Sequence, residues 1–450
     1  MLRTKGMKRN NLILAISVLL SSAAGLQAQS IFDLQLFGQQ GSRQQEKSLK
    51  FEYGVDFQYF LDCRDMSVSD GLFTDSGVFN IARLSPSAGF SFSQGRSSSH
   101  RLMAGIDLVK NLGEVPVVLP VYSQGEDDPK LNNLSLFKEI FYYYNFQSQI
   151  GNGILSAYAG IFPRSFLDGE YSRVHFSSTF KVRDVNIEGA LVTYRAPRFY
   201  TELAFDHMGS LGVDRRERHM AVTAGSYSPF DWASIGWSGT YTYCGESYLE
   251  TNTVHNLILN PYLKFEFGHM LKMDQLSLKA GAIGSFQKDS QFLDPQSGEF
   301  NDTPHFPVGV EAVLTARKWG FGIEDTFFYG DNMMPFRADS YVSGHHTGDY
   351  TSLLYTGDPF YFTHRGYAAG YNRTEVFWQP HIADFLDLKV SGIAHCILPA
   401  SDIYGTFMGW QARASLFFSL EALRNPRKSP AVRQERKKQS GFRQGPSIIL

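Results

Sequence analysis

From Leu49 to Leu61 the chain alternates without a break. Leu49, Phe51, Tyr53, Val55, Phe57, Tyr59 and Leu61 fall on one side, and Lys50, Glu52, Gly54, Asp56 and Gln58 on the other. Period two is the signature of a strand, because successive side chains leave a pleated backbone on opposite faces. Leu257 to Gly268 repeats the pattern: Leu257, Leu259, Pro261, Leu263, Phe265 and Phe267 stand against Asn256, Asn260, Lys264, Glu266 and Gly268. Runs of this length exceed the five or six residues of an ordinary soluble strand and match the roughly ten that a tilted strand needs to cross a bilayer.

The first residues carry an export signal. Arg3, Lys5, Lys8 and Arg9 precede the apolar run Leu12 to Leu20, and a small, polar stretch follows, with Leu26-Gln27-Ala28 before a plausible cut. The run is too short for a membrane helix, which needs about 20 apolar residues, and fits a secretory leader over 1–28. No later stretch is long enough for a spanning helix, so any membrane crossing is made by strands. Composition agrees: 37 Phe, 23 Tyr and 41 Gly with 19% charged residues suit a barrel ringed by aromatic girdles. Three cysteines, Cys63, Cys244 and Cys396, offer neither a disulfide framework nor metal-ligand spacing.

Alternating segments are read near 49–61, 82–94, 101–110, 138–147, 154–162, 188–195, 199–207, 218–226, 232–244, 255–269, 275–287, 306–317, 320–328, 371–382, 385–397 and 406–420. Short links such as Ala196-Pro197-Arg198, Lys318-Trp319 and Ala383-Asp384 alternate with longer connections, up to Tyr329–Gly370. Short periplasmic turns, long external loops and an even strand number define a transmembrane antiparallel β-barrel of about 16 strands. A secreted β-sandwich would also alternate, but gives no reason for two loop lengths in strict turn. The expected division is a leader over 1–28, a periplasmic lead-in over 29–48, the barrel over 49–420 and a basic periplasmic tail over 421–450.

The last strand, Thr406 to Leu420, alternates through Met408, Trp410, Leu416 and Phe418, as expected of a strand that presents itself to the outer-membrane assembly machinery. Arg424, Arg427, Lys428, Arg433, Arg436, Lys437, Lys438 and Arg443 follow it. Setting aside the leader and this tail leaves 30 basic and 42 acidic residues of the chain's 42 and 44, so residues 29–420 carry a net −12. Many of the acids, among them Asp127, Asp128, Asp168, Glu170, Asp294, Asp331 and Asp358, fall in predicted external loops. Two readings stand: a surface bridged by divalent cations beside lipopolysaccharide and membrane lipid, and a cation-selecting mouth. The tail is either a disordered extension or an anion-binding segment.

A barrel of this size encloses a lumen, and lumen charges select solutes. The inward-face candidates are Lys50, Glu52, Asp56, Arg83, Asp107, Glu139, Glu202, Lys264, Glu266, Lys279, Glu311, Arg373, Glu375, Asp387, Lys389 and Arg413. With both signs mixed, they either line a pore or pair across strands as part of the wall. Tyr329–Gly370 is too apolar and aromatic to be a disordered loop. Phe336, Arg337, Tyr355, Asp358, Phe360 and Tyr361 are its candidate residues, for a constriction, a fold-in plug or simple packing on the rim. His345 and His346 lie in it without partners at metal-ligand spacing.

Tyr53-Gly54-Val55-Asp56-Phe57, Leu61-Asp62-Cys63-Arg64-Asp65, Leu84-Ser85-Pro86, Tyr158-Ala159-Gly160-Ile161-Phe162-Pro163-Arg164, Glu188-Gly189-Ala190-Leu191 and Asn260-Pro261-Tyr262 together resemble porin-like outer-membrane barrels of Bacteroidetes. The likeness spans most of the mature chain. Cys63 stands where a polar residue such as Asn is expected in that group. The resemblance implies the fold and an outer-membrane location, and brings no substrate, cofactor or mechanism with it.

Enzymatic chemistry finds no constellation. The histidines are scattered, no nucleophile-elbow serine accompanies them, and Asp206-His207, at a predicted external strand end, is the best acid–histidine pair. There is no phosphate-binding glycine loop, Cys/His cluster or basic-aromatic surface for nucleic acid. The expectation is a channel for passive diffusion of small hydrophilic solutes, with no catalytic, cofactor or metal site. The alternative is a loop-plugged, non-conducting barrel acting as a surface scaffold or assembly partner. A homo-oligomer stays open, because no flat apolar wall stands out.

Overall fold

The computed structural model describes residues 49–66, 77–94, 97–112, 137–211, 216–245, 253–289, 291–294, 299–301, 304–334, 355–361, 369–383, 385–401 and 405–420. The expected leader, lead-in and basic tail lie outside the described residues, as do Phe336, Arg337, His345 and His346. In chain order the strands are β1 (Lys50–Met66), β2 (Gly77–Gln94), β3 (Ser98–Asn111), β4 (Phe137–Ile150), β5 (Gly153–Pro163), β6 (Asn186–Ala196), β7 (Phe199–Leu211), β8 (Arg216–Phe230), β9 (Ala233–Cys244), β10 (Val254–Glu266), β11 (Gln275–Asp289), β12 (Gln291–Asp294), β13 (Glu299–Asn301), β14 (Val308–Lys318), β15 (Phe321–Gly330), β16 (Ala369–Trp378), β17 (His381–Ala383), β18 (Leu386–Ser401) and β19 (Gly405–Ser419).

Sixteen of these form the wall. Each pairs antiparallel with its neighbours in chain order, and β19 returns to β1, with Asp56 opposite Ser419 and Met66 opposite Gly409. β12 and β13 make a separate hairpin, and β17 pairs locally with β18. Each alternating segment of the sequence corresponds to one wall strand, but several strands run further. β1 continues to Met66 and pairs Arg64 with Gly77 of β2, although Asp62-Cys63-Arg64-Asp65 reads as a polar strand end. Asp62 points inward, where Arg64 (2.8 Å) and Arg413 (3.2 Å) pair with it, so charge continues this strand.

Long connections emerge at one end, the external one in barrels of this kind, and short turns at the other. Tight turns are built from residues that tolerate positive φ: Gly151 (φ 60°), and the pair Trp319 (φ 55°) and Gly320 (φ 83°) between β14 and β15. Two consecutive positive φ values make the hairpin turn whose twist matches that of the strands.

The outward face is apolar along its length. Leu203 (β7), Leu259 (β10), Val310 (β14) and Val376 (β16) are exposed on it, an arrangement that only lipid makes favourable. Exposed aromatics ring both ends. Phe51, Phe90, Tyr227, Phe230, Trp232, Phe321 and Trp378 lie near the short turns, and Tyr142, Phe205, Tyr241, Tyr329, Phe407 and Trp410 lie nearer the loops. Phe230 stacks on Trp232 at 5.5 Å, and Trp232 on Phe265 at 6.2 Å. A closed sheet with an apolar outer band between two aromatic girdles is a multi-pass outer-membrane barrel.

Leu259 sits near the middle of β10 on the lipid face. Leu259→Arg should lower stability by about 2–4 kcal/mol, measured as denaturant unfolding from phospholipid vesicles. Leu259→Ala should lose clearly less.

Candidate functional site

Between β5 and β6 the chain does not stay outside. Residues 164–185 turn into the lumen as a short 3-10 turn (Arg164–Phe166), an irregular stretch and helix α1 (Ser178–Arg183), capped by Ser177 Oγ accepting from the Phe180 amide at 3.1 Å. Arg164 fixes the base of this loop. Its guanidinium donates to the carbonyls of Asp184 (2.9 Å) and Asn186 (3.0 Å), pairs with Asp206 at 2.7 Å, and lies 4.8 Å over the Phe180 ring. Pairing with Asp206 and stacking on Phe180 are what allow this charge to be buried there.

From that base the loop reaches strands all round the wall. Glu202 on β7 accepts the amides of Asp168 (2.8 Å) and Gly169 (2.9 Å) and the Tyr171 hydroxyl (2.6 Å). Lys264 on β10 pairs with Glu170 at 2.6 Å, and Ser172 donates to Glu311 on β14 at 2.6 Å. Arg173 reaches Glu324 on β15 at 3.0 Å and Glu375 on β16 at 3.5 Å. His175 meets Thr240 on β9 at 3.0 Å, Arg413 on β19 donates to Ser178 at 2.9 Å, and Arg83 on β2 donates to the Val182 carbonyl at 2.9 Å. Gly169 is required here, since a Cβ would strike Ala224 and the Glu202 carboxylate.

A second layer lies on this loop toward the external end. Residues 355–361 run beside it: the Ser177 amide donates to the Thr356 carbonyl (2.7 Å), Thr356 Oγ1 to the His175 carbonyl (2.5 Å), and the Asp358 amide to the Arg173 carbonyl (2.8 Å). Tyr355 donates to Gln287 at 2.6 Å, and Tyr361 donates to Glu311. Phe360 stacks on His395 at 4.1 Å and on Tyr371 at 5.0 Å. Met333, Met334, Val174, Ile258, Ile283 and Phe328 complete an apolar cluster around them.

All sixteen inward-face candidates have the inward parity of their strands, but they are not alike. Glu202, Glu311, Arg373, Glu375, Asp107 and Arg83 are buried. Arg373 pairs with Glu375 at 2.8 Å, Lys389 with Glu375 at 2.6 Å, Lys264 with Glu266 at 3.0 Å, and Arg101 with Glu52 at 2.7 Å. Asp107 accepts from Ser85 (2.5 Å) and Asn186 (3.0 Å), and Gln379 donates to Asp387 at 3.0 Å. Lys50 and Asp56 are exposed, and Glu139 is partly buried. Of the long-loop candidates, Tyr355, Asp358, Phe360 and Tyr361 are buried in the second layer.

Three expectations change. Asp168, Glu170 and Asp358, read as external acids, face inward: Asp168 pairs with Arg195, Glu170 with Lys264, and Asp358 is buried against the loop. Asp206 and His207 are no pair. Asp206 is buried in the lumen under Arg164, while His207 belongs to the opposite face and meets His219 at 3.2 Å. The loop that crosses the lumen is 164–185, which sequence reasoning passed over. Phe166, Tyr171, Val174, Phe176, Phe180 and Val182 give it the same aromatic, apolar character that singled out the longer loop.

On the side of the short turns the loop leaves a cavity of about 440 Å³. Arg83, Arg101, Lys264, Ser277, Lys279 and Thr315 line it from the wall, and Phe166, Tyr171, Arg173 and Lys181 from the loop. Burial, with Arg173 and Lys279 nearby, pulls the Lys181 ammonium down to about 8, which leaves it mostly charged at neutral pH. Burial, helped by Lys279 and Lys181, pushes His175 down to about 3, so its ring is neutral. Among the described residues, no group of three or more His, Cys, Asp or Glu side chains is placed to hold a metal ion.

The fold and this interior define the class: a 16-strand outer-membrane barrel with a loop folded across its lumen. No protein-family profile matches the chain, and neither does any curated protein sequence. Among solved structures it is similar to OmpT, an outer membrane protein of Vibrio cholerae, in a form lacking loop L8 (8% identity, 82% of this chain and 99% of that one, TM-score 0.44). It is also similar to OpdL of Pseudomonas aeruginosa (12% identity, 82% and 98%, TM-score 0.40). A third is the outer membrane channel DcaP of Acinetobacter baumannii (11% identity, 85% and 100%, TM-score 0.43).

Arg173 is the loop's anchor to β15 and β16. Arg173→Ala removes the loop's ion pairs to Glu324 and Glu375, a loss of about 3 kcal/mol. Amides of 164–185 should then exchange with deuterium about a hundredfold faster, while those of β1–β4 stay as protected as before.

Proposed function

We propose that the protein is a porin-like channel for small hydrophilic solutes, belonging to the Bacteroidetes type it resembles, in which residues 164–185 form the constriction. The observation that carries this reading is the crossing loop. Among the described residues it is pinned by ion pairs and hydrogen bonds to nine wall strands, and it bounds a charged, hydroxyl-lined cavity on the periplasmic side. A rigidly anchored loop fixes a bore, and mixed charges on its rim favour polar over apolar solutes. Diffusion through such a bore needs no bound cofactor and no reaction.

The second layer favours another reading, a barrel closed from outside. Residues 355–361 and Met333-Met334 cover the loop with buried aromatic and apolar side chains, and a wall so covered would present a surface scaffold rather than a pore. The two readings part on Gly357, where any Cβ would collide with the Val174 carbonyl. Gly357→Val should therefore lift the second layer off the first.

Single-channel conductance in planar bilayers separates them. The channel reading expects stable ohmic steps from the intact mature protein and larger steps from Gly357→Val. A silent intact protein that conducts only as Gly357→Val is a plugged barrel. Silence from both, in protein shown to be folded, is the scaffold.

A further inference from the structure

The charges around the cavity do not close. Most of its cations are spoken for: Arg164 by Asp206, Lys264 by Glu170 and Glu266, Arg101 by Glu52. On the side built by β11, β14, β15, β16, β18 and the loop, six cations (Arg173, Lys181, Lys279, Arg317, Arg373, Lys389) face five carboxylates (Glu311, Glu324, Glu375, Asp358, Asp387) among the described residues. The carboxylates are taken up mainly by the others. Arg173 holds Glu324, and Arg373 and Lys389 hold Glu375. Glu311 already accepts from Ser172 and Tyr361, and Lys279 approaches its other oxygen only to 4.0 Å. The Lys181 ammonium makes no hydrogen bond or ion pair among the described residues, yet its side chain and that of Lys279 both line the cavity.

A partly buried ammonium with no carboxylate in contact is costly; Glu324 attracts Lys181 from a distance but is held by Arg173, and the Arg173 guanidinium and a second ammonium oppose that attraction. One negative charge placed between them restores neutrality. The cavity also has an apolar side: Met103, Phe141, Tyr143 and Phe166 line it from β3, β4 and the loop. Its volume, about 440 Å³, lies within the range of small-molecule sites.

We propose that the cavity is a binding subsite for an organic monocarboxylate, its carboxylate held between Lys181 and Lys279 and its apolar body against Phe141, Tyr143 and Phe166. The inference deepens the channel reading by naming a solute class, and rests on that reading for its role in transport. The bound site itself does not require conduction. Such a subsite gives the interior a preference for small organic anions.

The test uses the full mature protein, folded in detergent, with 3-phenylpropanoate and its neutral isostere 3-phenylpropanamide as probes in titration calorimetry. Saturable binding of the carboxylate is expected, with the amide bound at least about tenfold more weakly. Lys181→Gln and Lys279→Gln should each weaken the carboxylate about tenfold, and Lys318→Gln, whose ammonium lies over the Trp319 ring and not in the cavity lining, should leave it unchanged. Retained compact migration of unheated protein in detergent gels shows that the variants fold. Equal binding of acid and amide, indifference to both substitutions, or no saturable binding by folded protein overturns the proposal. Carboxylate binding by a protein that never conducts overturns the channel and leaves the subsite; conduction without binding does the reverse.

Discussion

Lipid offers a backbone no hydrogen-bond partner, and every other feature of this molecule follows from that refusal. The seam between β1 and β19 is where the requirement is met, since without it two strand edges would face hydrocarbon. Eleven residues of each strand, from Asp56–Met66 and Gly409–Ser419, close it in unbroken register. Once the sheet is closed, each residue is committed to one of two environments by parity alone. Hydrophobic side chains go outward because lipid accepts them, and the inward set is released to carry charge.

That parity explains why the wall could be read from the sequence and the interior could not. Leu49–Leu61 and Leu257–Gly268 announce their faces because one is apolar and the other polar. On β8 the inward face is itself apolar, with Met220, Val222 and Ala224 buried against loop residues, and alternation there is blurred. The same happens on β1 beyond Leu61, where Asp62 and Arg64 extend a strand that polarity would end. The error in each case has one source. Periodicity reports what a strand faces, and a lumen occupied by a folded loop is a different solvent from a lumen filled with water.

The contents of the lumen were accordingly the least legible part. Residues 164–185 are shorter than 331–368 and carry a comparable share of aromatic residues, and length alone drew attention to the longer one. What identifies the crossing loop is partnership: Arg83, Glu202, Glu311 and Arg413 sit on strands far apart in the chain and meet only through it. No local pattern encodes such a meeting. The longer loop contributes through the short segment 355–361, whose polar backbone groups are satisfied by the first loop's carbonyls and amides rather than by the wall.

Partnership of this kind also fixes an order of events. The loop leaves β5 early in the chain, yet Ser178 waits for Arg413, 235 residues later, and Arg173 for Glu375, 202 residues later. Contacts so distant in sequence form only after the intervening strands are in place. The loop therefore completes its contacts only once β16 and β19 are in place. A polar loop with its charges still unpaired has to be kept from aggregating until the last strand arrives, so the interior assembles last although much of it is synthesised first.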